Sequence, residues 1–284
     1  MANGSVQAAA LISNAPSTGF EERFQMNTHP AGILTETRGN LFIVTINRPA
    51  RRNAVDREAA EALYHAFKSF DADDALSVAI LTGADGNFCA GADLQAVAAG
   101  KGNPVRPEGD MGPMGPTRLE LSKPVIAAIE GYAVAGGMEL ALWCDLRVVS
   151  DTARFGVFCR RFGVPLIDGG TVRLPRLIGA SRATDLILTG REVGPDEAMA
   201  IGLANYAAAA GQALDRAIQL ANDIAAFPQT CMRADRLSAM RQWSLDMDTA
   251  LKAEVEGGLG VLKSGETLQG ATAFTKGKGR HGVF

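Results

Sequence analysis

The chain has 284 residues, 47% hydrophobic and 21% charged, the makeup of a folded globular protein with one large domain or a core plus an accessory segment. A formal net charge of −3 excludes a surface built mainly for nucleic acid, which needs concentrated positive charge. A membrane span is excluded because no run of about 18 apolar residues is free of charges, and Ala8 to Ile12 lacks the basic residues that precede a secretory signal core.

Residues 1–28 are rich in Ala, Ser, Asn and Gly without sustained periodicity, which predicts a flexible N-terminal tail, with organised structure starting at Ile33. Ile33 to Arg38 and Leu41 to Asn47 flank Gly39-Asn40, a turn pair suited to a hairpin. Leu41 to Ile46 is apolar almost throughout, which predicts a strand covered on both faces. Asp56 to Phe70 carries Ala59, Leu63, Ala66, Phe67 and Phe70 on one helical stripe. Val78 to Thr82, Val125 to Ile129 and Leu146 to Val149 read as further buried strands. Their alternation with helical stretches implies an α/β fold with a largely parallel sheet.

Ala98 to Thr117 holds too much Gly and Pro for a regular element, which leaves a functional lid or a disordered insert. From Arg182 onward helices are predicted over Arg182–Leu188, Pro195–Ile201, Ala213–Phe227, Thr230–Trp243 and Asp248–Lys263, with Pro195 and Pro228 at first turns. Lys276 to His281 is basic and glycine-rich, a solvated tail or a phosphate contact. The expected division is 1–28 tail, 29–205 core and 206–284 helical region.

Three scattered histidines (His29, His65, His281) and four cysteines without a C-x-x-C pair (Cys89, Cys144, Cys159, Cys231) argue against a zinc site and a disulfide framework. Free cysteines fit a cytoplasmic setting. The G-x-S-x-G motif is absent, so catalysis is expected to rest on carboxylates and backbone groups, without a metal or a separate cofactor. Two glycine-rich turns follow buried strands, Gly83 to Leu94 and Gly131 to Leu140. Neither matches a dinucleotide or P-loop pattern. They either are plain tight turns or, side by side, would aim backbone N–H groups at one oxygen, an oxyanion hole, the more so if a helix begins at Gly137. Glu139 stands alone in the apolar run Met138 to Cys144. It is either a structural ion pair to Arg147 or Arg173 or a general acid/base raised towards neutrality by desolvation.

Phe88 to Leu94, Lys123 to Ile129 and Gly131 to Leu142 closely resemble the crotonase, or enoyl-CoA hydratase/isomerase, superfamily. Asn47-Arg48-Pro49, Arg52-Asn53-Ala54, Asp145-Leu146-Arg147, Ala153 to Gly156, Gly169-Gly170-Thr171 and Leu174 to Gly179 support the resemblance, as do Glu197-Ala198 and Gly202-Leu203. The likeness runs from Ile33 to the C-terminus. It implies a crotonase-like spiral of repeated ββα units with a helical C-terminal oligomerisation region, assembled as homotrimers or hexamers. It also implies an acyl-coenzyme A substrate, with the N–H groups of Ala92 and Gly136 as oxyanion donors. Arg52, Asn53 and Ala54, together with Ala90, Gly91, Asp93, Leu94 and Gly137, would lie along the thioester and its coenzyme A.

Glu139 falls at one of the family's two catalytic glutamates, whereas the second acid position is Cys159. Asp168, in Ile167-Asp168-Gly169-Gly170, resembles the aspartate of the naphthoate-synthase branch and is a replacement acid or a cap of the following helix. Cys159 is expected to line the pocket rather than act as a nucleophile, and Arg160 and Arg161 to be structural, at an interface, or in contact with an acyl carboxylate. The leading expectation is addition of water to a trans-2-enoyl-CoA. Isomerisation or another single-carboxylate proton transfer is the alternative, then C–C bond cleavage or ring closure, and then an inert acyl-CoA-binding scaffold.

Overall fold

The computed structural model describes residues 24–279. A seven-stranded sheet forms the centre, built in the order β1 (Phe24–His29), β2 (Ile33–Arg38), β3 (Leu41–Ile46), β4 (Val78–Gly83), β5 (Val125–Ile129), β7 (Leu146–Ser150) and β9 (Tyr206–Ala208). A second sheet pairs β6 (Tyr132–Val134) with β8 (Arg154–Gly156). β1, β2 and β3 are antiparallel; from β3 to β9 every pairing is parallel, as the crossover pattern of the sequence predicts.

Each apolar strand alternates its side chains between two cores. Val78 and Ile80 of β4, with Ile126 and Ala128 of β5, meet Ala213, Ala217 and Ala221 of helix α7 (Ala213–Ala225). Ala79, Leu81, Val125, Ala127 and Ile129 point the other way, into the larger core shared with α1 (Arg57–Ala72) and α3 (Gly136–Trp143). Burial on both faces is why these strands read as continuous apolar runs. Helix α1 starts where its stripe predicts, with the Asp56 side chain accepting from Ala59 N at 3.0 Å.

The spiral is visible in a repeating succession. β3 leads to a bridge at Val55 and then α1. β4 leads to bridges at Cys89 and Ala92 and then α2 (Leu94–Ala98). β5 leads to β6 and α3. β7 leads to β8, a 3-10 turn at Phe158–Phe162, and α4 (Gly170–Ile178). The bridges Val55 to Ala92, Cys89 to Ala133 and Phe155 to Val193 extend the small sheet, so each turn of chain adds one strand to each sheet before its helix. The second-sheet contributions are one to three residues long, too short for a period to show in sequence.

Three expectations need correction. Organised structure begins before Ile33, since Phe24–His29 pairs residue for residue with β2, leaving the predicted tail's first 23 residues outside the described residues. β1 is an edge strand exposed over residues 25–29, and its apolar residues Phe24 and Met26 are too few for an alternation to be read. The core does not end at residue 205, because β9 and α7 belong to the sheet and its covering layer. A final helix, α10 (Glu266–Thr275), precedes the basic end, of which residues 280–284 lie outside the described residues. The other C-terminal helices are α5 (Ala180–Thr189), α6 (Pro195–Ala200), α8 (Gln229–Arg241) and α9 (Met247–Ser264). No helix among the described residues is long and apolar enough to cross a membrane.

Candidate active site

The two glycine-rich turns meet. Cys89 N–H donates to Tyr132 O at 2.8 Å and Val134 N–H donates to Cys89 O at 3.1 Å, stitching the turn after β4 to β6. The chain reverses at Gly91 with φ 96°, a conformation that glycine takes without strain. Beyond β6, Ala135 is held at φ 53°, unusual for a residue with a side chain, and Gly136 opens α3, one residue before the expected start. A methyl group on Gly91 would lie 2.9 Å from Gly136 N, so the turns are in contact. The Ala92 and Gly136 N–H groups have no acceptor among the described residues, and both residues line one cavity of about 490 Å³.

Glu139 lies one turn into α3, a helix whose residues 137–143 are all buried, and lines the same cavity. Its Oε1 accepts from Asp168 N (2.9 Å) and Gly170 N (2.8 Å). The Gly170 N–H is one of the free donors at the start of α4, where the helix dipole favours negative charge. The alternative of an ion pair does not hold among the described residues. Arg147 donates to the carbonyls of Leu203 (2.7 Å) and Cys144 (2.8 Å), and Arg173 to those of Asp168 (2.9 Å) and Thr117 (2.7 Å). Burial therefore pushes the Glu139 carboxyl up to about 7, with the Asp168 charge adding to the shift; the N–H groups of Gly170 and Asp168 pull against it.

Asp168 is also buried, and it is not a helix cap: Gly169 occupies the N-cap of α4, and no side chain bonds there. Its Oδ1 instead accepts from Met114 N at 2.9 Å and from the Thr117 hydroxyl. Burial raises this carboxyl too, opposed first by the Thr117 hydroxyl. Glu139 Oε2 and Asp168 Oδ2 hold no hydrogen bond among the described residues, and neither is sealed from solvent. Cys159 lines the cavity, and burial raises its thiol.

The other expected residues divide. Ala90 and Leu94 line the cavity. Arg52 is exposed, its carbonyl accepting from Ala90 N at 3.0 Å and its guanidinium over the Tyr132 ring. Asn53 and Ala54 do not reach the cavity lining. Asn53 is fully buried, accepting from Arg48 N (2.9 Å) and donating to the carbonyls of Ala84 (2.8 Å) and Asn87 (2.6 Å), so it locks the turn instead. The carbonyl of Ala54 is held by Arg48. Asp93 caps α2 through Gln95 N and Ala96 N and pairs with Arg48. Gly91 shapes the turn without lining the cavity. Gly137 faces away, against the Cys89 carbonyl, where a methyl would come within 2.0 Å.

Arg160 and Arg161 donate to the carbonyls of Ile187 (3.1 Å) and Gly190 (3.2 Å), a structural role. The segment from Ala98 to Thr117 is pinned as a cavity wall by Asn103, which donates to Val55 O (3.2 Å) and Pro113 O (2.8 Å). Met114 and Thr117, which fix the Asp168 carboxylate, carried no signal in the sequence because that partner lies more than 50 residues away. Arg173, a candidate ion-pair partner of Glu139, instead holds the main chain at Asp168 and Thr117. All four cysteines are free, and no cluster among the described residues could hold a metal ion.

Residues 36–278 match the family model described as enoyl-CoA hydratase/isomerase. The chain is 37% identical over 253 residues to "Enoyl-CoA hydratase EchA19" of Mycobacterium tuberculosis, covering 86% of this chain and 93% of that protein. It is 34% identical to the "Short-chain-enoyl-CoA hydratase" of Clostridium acetobutylicum, covering 85% and 94%. The crystal structure of an enoyl-CoA hydratase from Mycobacterium tuberculosis H37Rv superimposes with a TM-score of 0.82 at 39% identity, covering 87% of this chain and 96% of that one. The free amides of two touching turns, the buried carboxylate beside them and this likeness over most of the length converge: the chain belongs to the enoyl-CoA hydratase/isomerase family.

Proposed function

We propose that the protein adds water across the 2,3 double bond of a trans-2-enoyl-CoA. The observation that carries this is the gathering, in one cavity, of two N–H groups and two buried carboxylates, with neither N–H and only one oxygen of each carboxylate bonded among the described residues. The thioester oxygen takes hydrogen bonds from Ala92 N and Gly136 N, which polarises the double bond and stabilises the enolate that follows. Glu139, with its carboxyl near neutrality, accepts a proton from water as the water oxygen bonds to C3. Asp168, protonated for this step and with its carboxyl raised by burial, or a water bound beside it, delivers a proton to C2 to give a 3-hydroxyacyl-CoA. The proton left on Glu139 returns through solvent to the donor. No cofactor is needed beyond the coenzyme A that the substrate carries. Arg52, exposed and bonded to Ala90 through its main chain, is the member of its turn that can meet coenzyme A phosphates.

A single-carboxylate isomerisation is favoured by one observation, the thiol of Cys159 at the second acid position. Loss of the conjugated absorbance of crotonyl-CoA, abolished in Glu139→Gln, supports hydration. Exchange of C2 hydrogen with solvent and no loss of absorbance favours isomerisation instead. Coenzyme A binding without either reaction, for crotonyl-CoA and dodecenoyl-CoA alike, assigns an inert scaffold.

The protein is further proposed to form homo-oligomers, trimers or hexamers, in the cytoplasm. Met247, Leu251, Val255, Leu259 and Leu262 of α9 recur at helical spacing and are all exposed, a stripe suited to burial against another copy. Three buried free cysteines fit a reducing compartment.

A further inference from the structure

The wall of the cavity is of two kinds. Glu139, Asp168 and the amides of Ala92 and Gly136 supply the chemistry, whereas Leu94, Val97, Val105, Phe162 and Ile167 are apolar. These five side chains are between 38% and 68% exposed. They come from α2, from the segment between residues 98 and 117, and from the stretch before Asp168, so three separate parts of the chain turn apolar groups towards one concavity. Large apolar side chains held in water around a hollow lose that unfavourable contact when an apolar group fills it.

Size points the same way. An apolar cavity of about 150 Å³ holds a benzene molecule. The 490 Å³ here is roughly three times that, so a crotonyl group would leave most of the space unfilled. Cys159 adds to this, putting a small, weakly polar thiol in the wall where the family pattern has a carboxylate.

We infer that the site selects thioesters whose acyl group is large and apolar, about ten carbon atoms or more, straight or ring-ended, seated against Val97, Val105 and Phe162. This rests on the acyl-CoA assignment of the same cavity. It is tested by binding, independently of turnover, with saturated thioesters titrated calorimetrically below their micellar concentrations.

Each methylene buried strengthens binding about fourfold, so lauroyl-CoA is expected to bind at least about 100-fold more tightly than butyryl-CoA. Val97→Asp is expected to lower that ratio by at least about tenfold, because a carboxylate would then face the chain. A ring-ended thioester of the same carbon number distinguishes the two shapes by binding more or less tightly than lauroyl-CoA. Equal affinity for butyryl- and lauroyl-CoA, or a lauroyl preference that Val97→Asp leaves intact, overturns the inference. If lauroyl-CoA is preferred and neither crotonyl-CoA nor dodecenoyl-CoA is hydrated, hydration is rejected while the acyl selectivity stands.

Discussion

Helices α3 and α9 are both largely apolar, yet they meet opposite surroundings. In α3 every residue from Gly137 to Trp143 is buried, and the one charged group, Glu139, is carried inside with them. In α9 only Val261 is buried, and five large apolar residues stand in solvent. In α3 the surroundings act on a carboxylate, raising its proton affinity towards neutrality. In α9 no described residue of the protomer buries the stripe, which is the surface proposed above to meet another copy.

The largest expected effect on the α3 side is loss of turnover in Glu139→Gln, by about 10²–10⁴-fold in kcat, since the amide keeps the hydrogen-bond acceptor and loses the base. Full activity in this variant would break the contrast. Gly91→Ala comes next. Its methyl would press on Gly136 N at a backbone angle that strains any side chain, so kcat/KM is expected to fall about 10²–10³-fold through displacement of one donor. Steady-state kinetics with a circular-dichroism melt separates this from unfolding.

The pH dependence sharpens the comparison. Water activation needs Glu139 ionised, so kcat/KM should fall below about pH 7 with a slope of one. Stability runs the other way. The folded carboxyl binds its proton up to about pH 7, whereas its ordinary value is 4.5, so the folded state holds more protons between these values. The contribution of Glu139 to stability is thus complete below pH 4.5 and lost as pH rises through about 7. Glu139→Gln should therefore melt above the parent at pH 8.5, with the gap closing towards pH 5. A gap that widens on acidification contradicts the buried, raised carboxyl. The smallest effect on the protomer belongs to α9, where Leu259→Asp should lower the molar mass in sedimentation while leaving the helical signal intact.

Legibility followed the range of the interactions. β4 and β5 were readable because burial on both faces leaves an unbroken apolar run, and Glu139 because it is the one charge in such a run. β1 was missed as an edge strand with too few apolar residues, and β6, β8 and β9 because three residues are too few for a period. Asp168 was singled out, but its partner Thr117 is 51 residues away and its lock on the Met114 amide appears only once the chain is folded. Asn53 and Asp93 were placed beside the substrate, although each uses its side chain to fix a turn. Short polar side chains satisfy main-chain groups and ligands with the same atoms, and sequence does not show which they meet.

The most direct test of the catalytic arrangement is conversion of crotonyl-CoA in deuterium oxide, with the product examined by proton NMR. Water addition through the Ala92–Gly136 amides, Glu139 and Asp168 gives 3-hydroxybutyryl-CoA with one deuterium at C2, and Asp168→Asn slows its formation. Crotonyl-CoA and dodecenoyl-CoA both recovered without an added hydroxyl, or a hydroxylated product formed as fast by Glu139→Gln as by the parent, would contradict it.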